Sequence, residues 1–166
     1  MDSIYDRDAV RPMWEELAYV GVQPLTTAEE VKKVLSAKQG TVMVVVNSVC
    51  GCAAGGARPG VAKALQHRLI PDQSVTVFAG VDRGAVETAR EFMKPLPTSS
   101  PSVGLFRNGE LVYALQRSQI EMMDANGIAQ ALVEGFDEFC TKPGPSIPKE
   151  AYEKLHHPQV CASSIP

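Results

Sequence analysis

Thr41-Val-Met-Val-Val-Val-Asn-Ser-Val49 is a β-branched apolar run that leads without a break into Cys50-Gly51-Cys52 and then into Ala53-Ala-Gly-Gly-Ala57. The run reads as a strand buried on both faces, of the kind found inside a parallel or mixed sheet. The Ala-rich stretch behind it can turn helical, so the two thiols stand at the mouth of a helix. Backbone N–H groups there lack intrahelical partners and the helix dipole favours an anion, which at this position is a thiolate. A thiolate is the nucleophile of disulfide exchange.

Helical and strand patterns alternate on either side of this stretch. Asp8 to Val20 predicts a first helix, with Val10, Met13, Trp14 and Leu17 on one face and Pro12 tolerated in the first turn. Thr27 and Glu30 have capping-box spacing and open a second helix through Leu35. The spacing predicts a helix over Ala53 to Arg68, weakened by Gly55, Gly56 and Gly60 and kinked by Pro59. Those glycines serve either a bare surface for an approaching thiol substrate or close backbone packing against a neighbour. Ser74 to Ala79 is a second buried strand, and a helix follows from about Gly84 to Met93. Pro95 to Pro101 is a loop, and Ser102 to Leu115 forms a hairpin about the two-residue turn Asn108-Gly109. Ile120 to Cys140 supplies a last amphipathic helix. From Thr141 the composition turns Pro-rich and polar, so residues 141–166 are read as a tail that wraps the domain or stays mobile, leaving residues 1–140 as the domain proper.

The chain has 166 residues, 45% of them hydrophobic, which is one domain with enough apolar material for a core. A formal net charge of −3 lacks the basic excess that nucleic-acid binding requires, so no nucleic-acid partner is expected. The start, Met-Asp-Ser-Ile-Tyr-Asp-Arg-Asp, carries no secretory pattern, and the run Val42 to Val46 is too short to span a bilayer. Four cysteines at 50, 52, 140 and 161 are too sparse for a secreted disulfide framework. A reducing cytoplasm is the expected compartment, and closely spaced cysteines there are more often catalytic or metal-binding than structural.

Strand, two-cysteine helix start, strand, helix, proline-led hairpin and closing helix is an α/β order that resembles the thioredoxin-like fold, three layers with a central mixed sheet flanked by helices. Ser100-Pro101-Ser102 resembles the segment that carries that fold's cis-proline, and Leu105-Phe-Arg-Asn-Gly-Glu110 its hairpin turn. More specifically, the chain resembles the bacilliredoxins, bacterial thioredoxin-like proteins with a Cys-Gly-Cys site. The likeness rests on Val44 to Gly55, Ala57-Arg-Pro59, Val75 to Gly80, Ser99 to Ser102 and Phe136 to Cys140, and covers roughly residues 5 to 140. It implies a thiol–disulfide oxidoreductase that removes a low-molecular-weight thiol, bacillithiol or a similar one, from mixed disulfides on proteins. Weak disulfide reductase or isomerase activity is implied with it. S-thiolated proteins and the small thiol are then the partners, and neither cofactor nor metal is needed. The tail matches nothing in the family pattern.

Cys50 is assigned as nucleophile because it is nearer the helix mouth and occupies the first cysteine of the family motif. Cys52 either resolves the adduct as an internal disulfide in a small, strained ring or leaves that to a second small thiol. Gly51 between them is read as a substrate-binding position, and by the resemblance Ser100 and Pro101 present backbone to the substrate disulfide. Arg58 lies about two turns along the helix, so the helix terminus rather than this cation is expected to supply most of the thiolate stabilisation. Arg58 is read as a surface residue or as a contact for the small thiol's carboxylate. Asn47 and Ser48 either donate to the thiolate or the substrate or make ordinary strand-to-helix turn chemistry, and the turn chemistry is the preferred reading. Cys140 reads as a buried inert thiol, with a distant resolving cysteine as the alternative. Cys161 reads as exposed and free, and His67 as a cation at a helix end. Two rival classes stand beside the redox reading: a zinc protein using Cys50 and Cys52 with His156, His157 and Cys161, and a non-catalytic thioredoxin-like interaction module.

Overall fold

The computed structural model describes residues 4–155. Its first half runs α1 (Arg11–Tyr19), β1 (Gln23–Pro24), α2 (Ala28–Leu35), β2 (Thr41–Asn47), a π-helical turn (Ala53–Ala57) and α3 (Arg58–Ala64). Then come β3 (Leu69–Ile70), β4 (Gln73–Phe78), α4 (Arg83–Phe92), β5 (Ser102–Arg107) and β6 (Glu110–Leu115). Short α5 (Arg117–Ile120), long α6 (Ala125–Phe139), β7 (Lys142–Pro143) and α7 (Lys149–Glu153) complete the described chain.

β2 is the middle of a five-stranded mixed sheet of order β1-β4-β2-β5-β6, parallel to β4 and antiparallel to β5. Every residue of β2 is buried, as the apolar run requires. Because side chains alternate across a strand, its two faces feed two cores. Met43 and Val45 pack with Leu17 of α1, Val61 of α3 and Ile128, Leu132 and Phe136 of α6. Val42, Val44 and Val46 pack with Val31 and Leu35 of α2 and with Ala85, Val86 and Ala89 of α4. Helices therefore cover both faces, which is the three-layer α/β arrangement the sequence order implies. The start of α2 is the expected capping box: Thr27 Oγ1 accepts the Glu30 N–H at 3.2 Å, and Glu30 Oε1 accepts the Thr27 N–H at 3.1 Å. Asn108 and Gly109, both at positive φ (52° and 85°), make the tight β5–β6 turn.

Two expectations change, and the described part of the tail takes one of the two courses given for it. The helix after the thiols does not run evenly through a proline kink. It winds wide over Ala53–Ala57, where the Arg58 N–H reaches back to the Ala53 carbonyl, and narrows to α3 with Pro59 in the first turn, where a missing N–H costs nothing. The last helix starts at Ala125 rather than Ile120, because the Asp124 carboxylate accepts the Gly127 N–H at 2.8 Å and caps it there. Residues 141–155 do wrap the domain: β7 pairs with β3, the Ser146 N–H donates to the Leu65 carbonyl at 2.8 Å, and the Tyr19 hydroxyl donates to the Ala151 carbonyl at 2.7 Å. Ile147, Tyr152 and Leu155 press on the same core as α1, α3 and α6. The two-residue strands β1, β3 and β7 are too short to leave a sequence pattern.

The glycines around the thiols differ in what surrounds them. A Cβ on Gly60 would lie 2.7 Å from Ile128 Cγ2 and 3.1 Å from the Ala125 carbonyl oxygen, so Gly60 is where α3 and α6 touch. A Cβ on Gly55 or Gly51 would meet nothing within 4 Å, so that surface is open. Gly60→Ala is therefore expected to destabilise the fold by about 1–3 kcal/mol through overpacking, despite alanine's better helix propensity. Gly55→Ala is expected to be neutral or to stabilise by up to about 1 kcal/mol. Urea unfolding of the two variants checks this, and equal effects would contradict the packing described.

Candidate functional site

β2 ends at Asn47, and the chain turns through Ser48 and Val49 to deliver Cys50 at the end of the sheet. The Ser48 N–H donates to Asn47 Oδ1 at 2.8 Å and the Cys50 N–H donates to Ser48 Oγ at 3.2 Å, so both side chains make the turn chemistry expected of them. Val49 anchors the turn from below in a small core with Val10, Met13 and Phe78, flanked by Trp14. The N–H groups of Ala53 and Ala54 both close back on the Cys50 carbonyl at 3.1 Å, which starts the helical winding immediately behind the thiol.

Cys50 and Cys52 are both half-buried, with their sulfurs 2.8 Å apart. That separation is a hydrogen-bonded contact between reduced groups, about 0.8 Å beyond a disulfide bond. Partial burial opposes ionisation of Cys50, but hydrogen bonds from Cys52, Ser48 and the Ala53 amide, with the attraction of Arg117, outweigh it and hold its pKa below the ordinary thiol value. Cys52 goes the other way: burial, its hydrogen bond to Cys50 and the repulsion of the Cys50 charge push it up to about 11. The neighbours thus divide into a thiolate and a proton-bearing donor.

The strand register brings further groups to this end of the sheet. Val46 pairs with Ser102 and Val103 with Leu115, so Ser100-Pro101 before β5 and Gln116-Arg117 after β6 arrive where β2 runs out. The Ser100–Pro101 bond is cis; Pro101 is buried and Ser100 half-buried. Arg117 Nη1 donates to the Ser100 carbonyl at 3.1 Å, and Arg117 Nε donates to Glu121 Oε1 at 2.6 Å. Arg117 is the half-exposed cation of the site, and Glu121 together with both cysteines raises its pKa above the ordinary value.

Arg58 is not where the sequence reading put it. Its side chain is 0% exposed, which excludes both a surface role and direct contact with a small thiol's carboxylate. The cause is a partner the reading passed over: Glu16 of α1, equally buried, accepts from Arg58 Nε at 3.0 Å. Burial lowers the Arg58 pKa from its ordinary value, against the support of Glu16 and the Cys50 charge, and the guanidinium stays protonated.

Cys140 is buried in the core, where burial chiefly, with the Asp72 charge and against a hydrogen bond to Thr41, pushes it up to about 11. Thr41 begins β2 and Cys50 follows its end, so roughly 20 Å of strand separates the two thiols and Cys140 does not meet Cys50. His67 Nε2 lies 2.7 Å from Asp137 Oδ1 on α6, away from the thiols. Among the described residues no three His, Cys, Asp or Glu side chains are grouped to hold a metal ion; His156, His157 and Cys161 of the zinc reading lie outside the described residues. No helix among the described residues is long and apolar enough to cross a membrane.

A family model described as "Disulphide isomerase" matches residues 5–140. A bacilliredoxin of Cytophaga hutchinsonii is 49% identical over 135 residues, covering 81% of this chain and 99% of its own. A bacilliredoxin of Koribacter versatilis is 45% identical over 137 residues, 82% of this chain and 94% of its own. Among solved structures, oxidised mitochondrial thioredoxin 3 of Saccharomyces cerevisiae superposes with a TM-score of 0.50 at 19% identity, over 73% of this chain and 98% of that one. A chain from a structural study of thiol resolution in yeast mitochondrial 1-Cys peroxiredoxin gives a TM-score of 0.51 with the same identity and coverage. At that identity the likeness speaks for the fold alone, a thioredoxin fold.

Two neighbours of Cys50 are separable by salt. Ser48→Ala and Arg117→Gln each remove a feature that favours the thiolate, so each should raise the Cys50 pKa and slow its alkylation at neutral pH by up to about tenfold, one pKa unit. The Arg117→Gln effect should disappear in 1 M salt, where charges on exposed groups are screened within about 3 Å. The Ser48→Ala effect should persist. Iodoacetamide rates at low and high salt, read at Cys50 by mass spectrometry, check both.

Proposed function

The chain belongs to the bacilliredoxin family, and on that premise we propose that Cys50 takes low-molecular-weight thiols off S-thiolated proteins. The single observation that carries this is the unequal pair of sulfurs 2.8 Å apart, one tuned toward thiolate and the other holding its proton. The protein is an oxidoreductase of the thiol–disulfide type. The open surface over Gly51 and Gly55 gives a bulky mixed disulfide room to approach. Ser100 and Pro101 at the same end of the sheet offer it backbone.

The proposed reaction is two exchanges. The Cys50 thiolate attacks the small thiol's sulfur in a protein mixed disulfide; the Cys50–small-thiol bond forms as the old S–S bond breaks. The protein's sulfur leaves as a thiolate and is protonated from solvent, restoring its free cysteine. The adduct has consumed the charge on Cys50, and that charge was one of the causes holding the Cys52 pKa up. Cys52 is then easier to ionise. Either it attacks Cys50 and expels the small thiol, leaving an internal disulfide for a further thiol to reduce, or a second small thiol attacks the adduct directly and leaves as the symmetric disulfide. Arg117 stands at the rim as the cation available to a carboxylate on the departing thiol, one of the two roles the sequence suggests for Arg58. The reaction fits a reducing cytoplasm and draws on neither nucleic acid nor membrane.

The experiment presents one reporter protein capped in turn with bacillithiol, glutathione and cysteine, and follows the cap by mass spectrometry. The adduct is expected to accumulate on Cys50 in Cys52→Ser and to be absent from Cys50→Ser; a Cys50→Ser variant that still removes the cap would overturn the assignment. Strain in the small ring should also place the Cys50–Cys52 couple well above thioredoxin's potential of about −270 mV. Equilibration with glutathione measures it, and a thioredoxin-like value would count against exchange as the main activity.

A further inference from the structure

Removing a guanidinium from water is costly unless partners compensate both its charge and its hydrogen bonds. Arg58 has such partners on two sides. Nε donates to Glu16 at 3.0 Å, while Nη1 donates to the Ser48 carbonyl at 2.7 Å and to Asn47 Oδ1 at 3.1 Å. Nη2 is buried with no hydrogen-bond partner among the described residues. The acceptors of Nη1 belong to the two residues that lead from β2 toward Cys50. Asn47 Oδ1 is shared with the Ser48 N–H at 2.8 Å, and Asn47 Nδ2 is tied to the Met13 carbonyl of α1 at 3.2 Å. Ser48 Oγ in turn accepts the Cys50 N–H at 3.2 Å. Helix α1, helix α3 and the end of β2 thus converge on one short turn, and the turn carries the thiol.

We propose that Arg58 is a positioning residue for Cys50: steadied by Glu16, its guanidinium fixes Asn47 and Ser48 so that the Ser48 hydroxyl faces the sulfur, and its field, attenuated by Glu16, favours the thiolate. It touches no substrate. Cys52 of its own turn, Arg58 of α3 and Arg117 beyond the hairpin act on Cys50 by charge or proton, while Glu16 of α1 acts on Arg58 and Glu121 on Arg117 and Cys52. Only the Arg58–Glu16 pair is buried away from solvent.

The test is the pH profile of Cys50 alkylation by iodoacetamide in the full chain, resolved by peptide mass spectrometry, for wild type, Arg58→Lys and Glu16→Gln. Thermal melting first establishes that each variant is folded. A lysine ammonium cannot reach Glu16, Asn47 and Ser48 together, so Arg58→Lys should move the midpoint to higher pH and slow the neutral-pH rate several-fold. Glu16→Gln keeps an acceptor oxygen for Nε but leaves the guanidinium unbalanced, so its midpoint should move to lower pH. A merely loosened fold would push both midpoints the same way. Shifts in the same direction, or no shift in either variant, overturn the proposal. Should Arg58→Lys fail to fold, Glu16→Gln decides alone, and an unchanged or raised midpoint overturns it. The inference rests on Cys50 as the proposed nucleophile, yet no S-thiolated protein enters the test. A failure here leaves the proposed reaction standing, and a failure of that reaction leaves this result standing.

Discussion

Two sulfurs 2.8 Å apart hold one proton between them at neutral pH, so only one of them carries a charge there. The constraint is Coulombic: like charges in contact in a half-buried setting push the two ionisations apart. Which sulfur ionises is decided by surroundings, since Cys50 is met by Ser48, the Ala53 amide and Arg117, whereas Cys52 is met chiefly by burial and by Cys50 itself. The proposed division of labour, nucleophile first and resolver second, follows from that asymmetry.

The fold keeps the asymmetry in place because Cys50 hangs from the most constrained element of the molecule. β2 is buried along its whole length, paired on both edges and packed on both faces, so its end cannot wander. The turn that follows is held from α1 and α3 through Glu16, Asn47 and Arg58, and removing one partner of such a buried ion pair typically costs about 3–5 kcal/mol. Behind the thiols the winding widens to a π turn, a form that recurs at functional positions in other helices. Rigid support on the core side and open space over Gly51 and Gly55 on the other suit a site that receives large substrates.

Much of this was legible in the residues. The β-branched run, the Thr27–Glu30 box and Asn108-Gly109 each act through local chemistry, and local chemistry is what a sequence displays. Arg58 was misread because its burial depends on Glu16, 42 positions earlier, and charge pairing across elements leaves no spacing signal. Arg117 and Glu121 were passed over for a related reason. Their i,i+4 spacing was visible, but only the β2–β5–β6 register brings them to the thiols. The tail's course depends likewise on the β3–β7 pair, two residues in each strand.

Ultraviolet titration of thiolate absorbance in the reduced chain addresses the central claim most directly, with Cys50→Ser and Cys52→Ser to assign each step. The account predicts one thiolate forming below the ordinary thiol range and lost in Cys50→Ser, with the Cys52 step held back to about pH 11. Two sulfurs titrating together near the free-cysteine value of about 8.5 would contradict it.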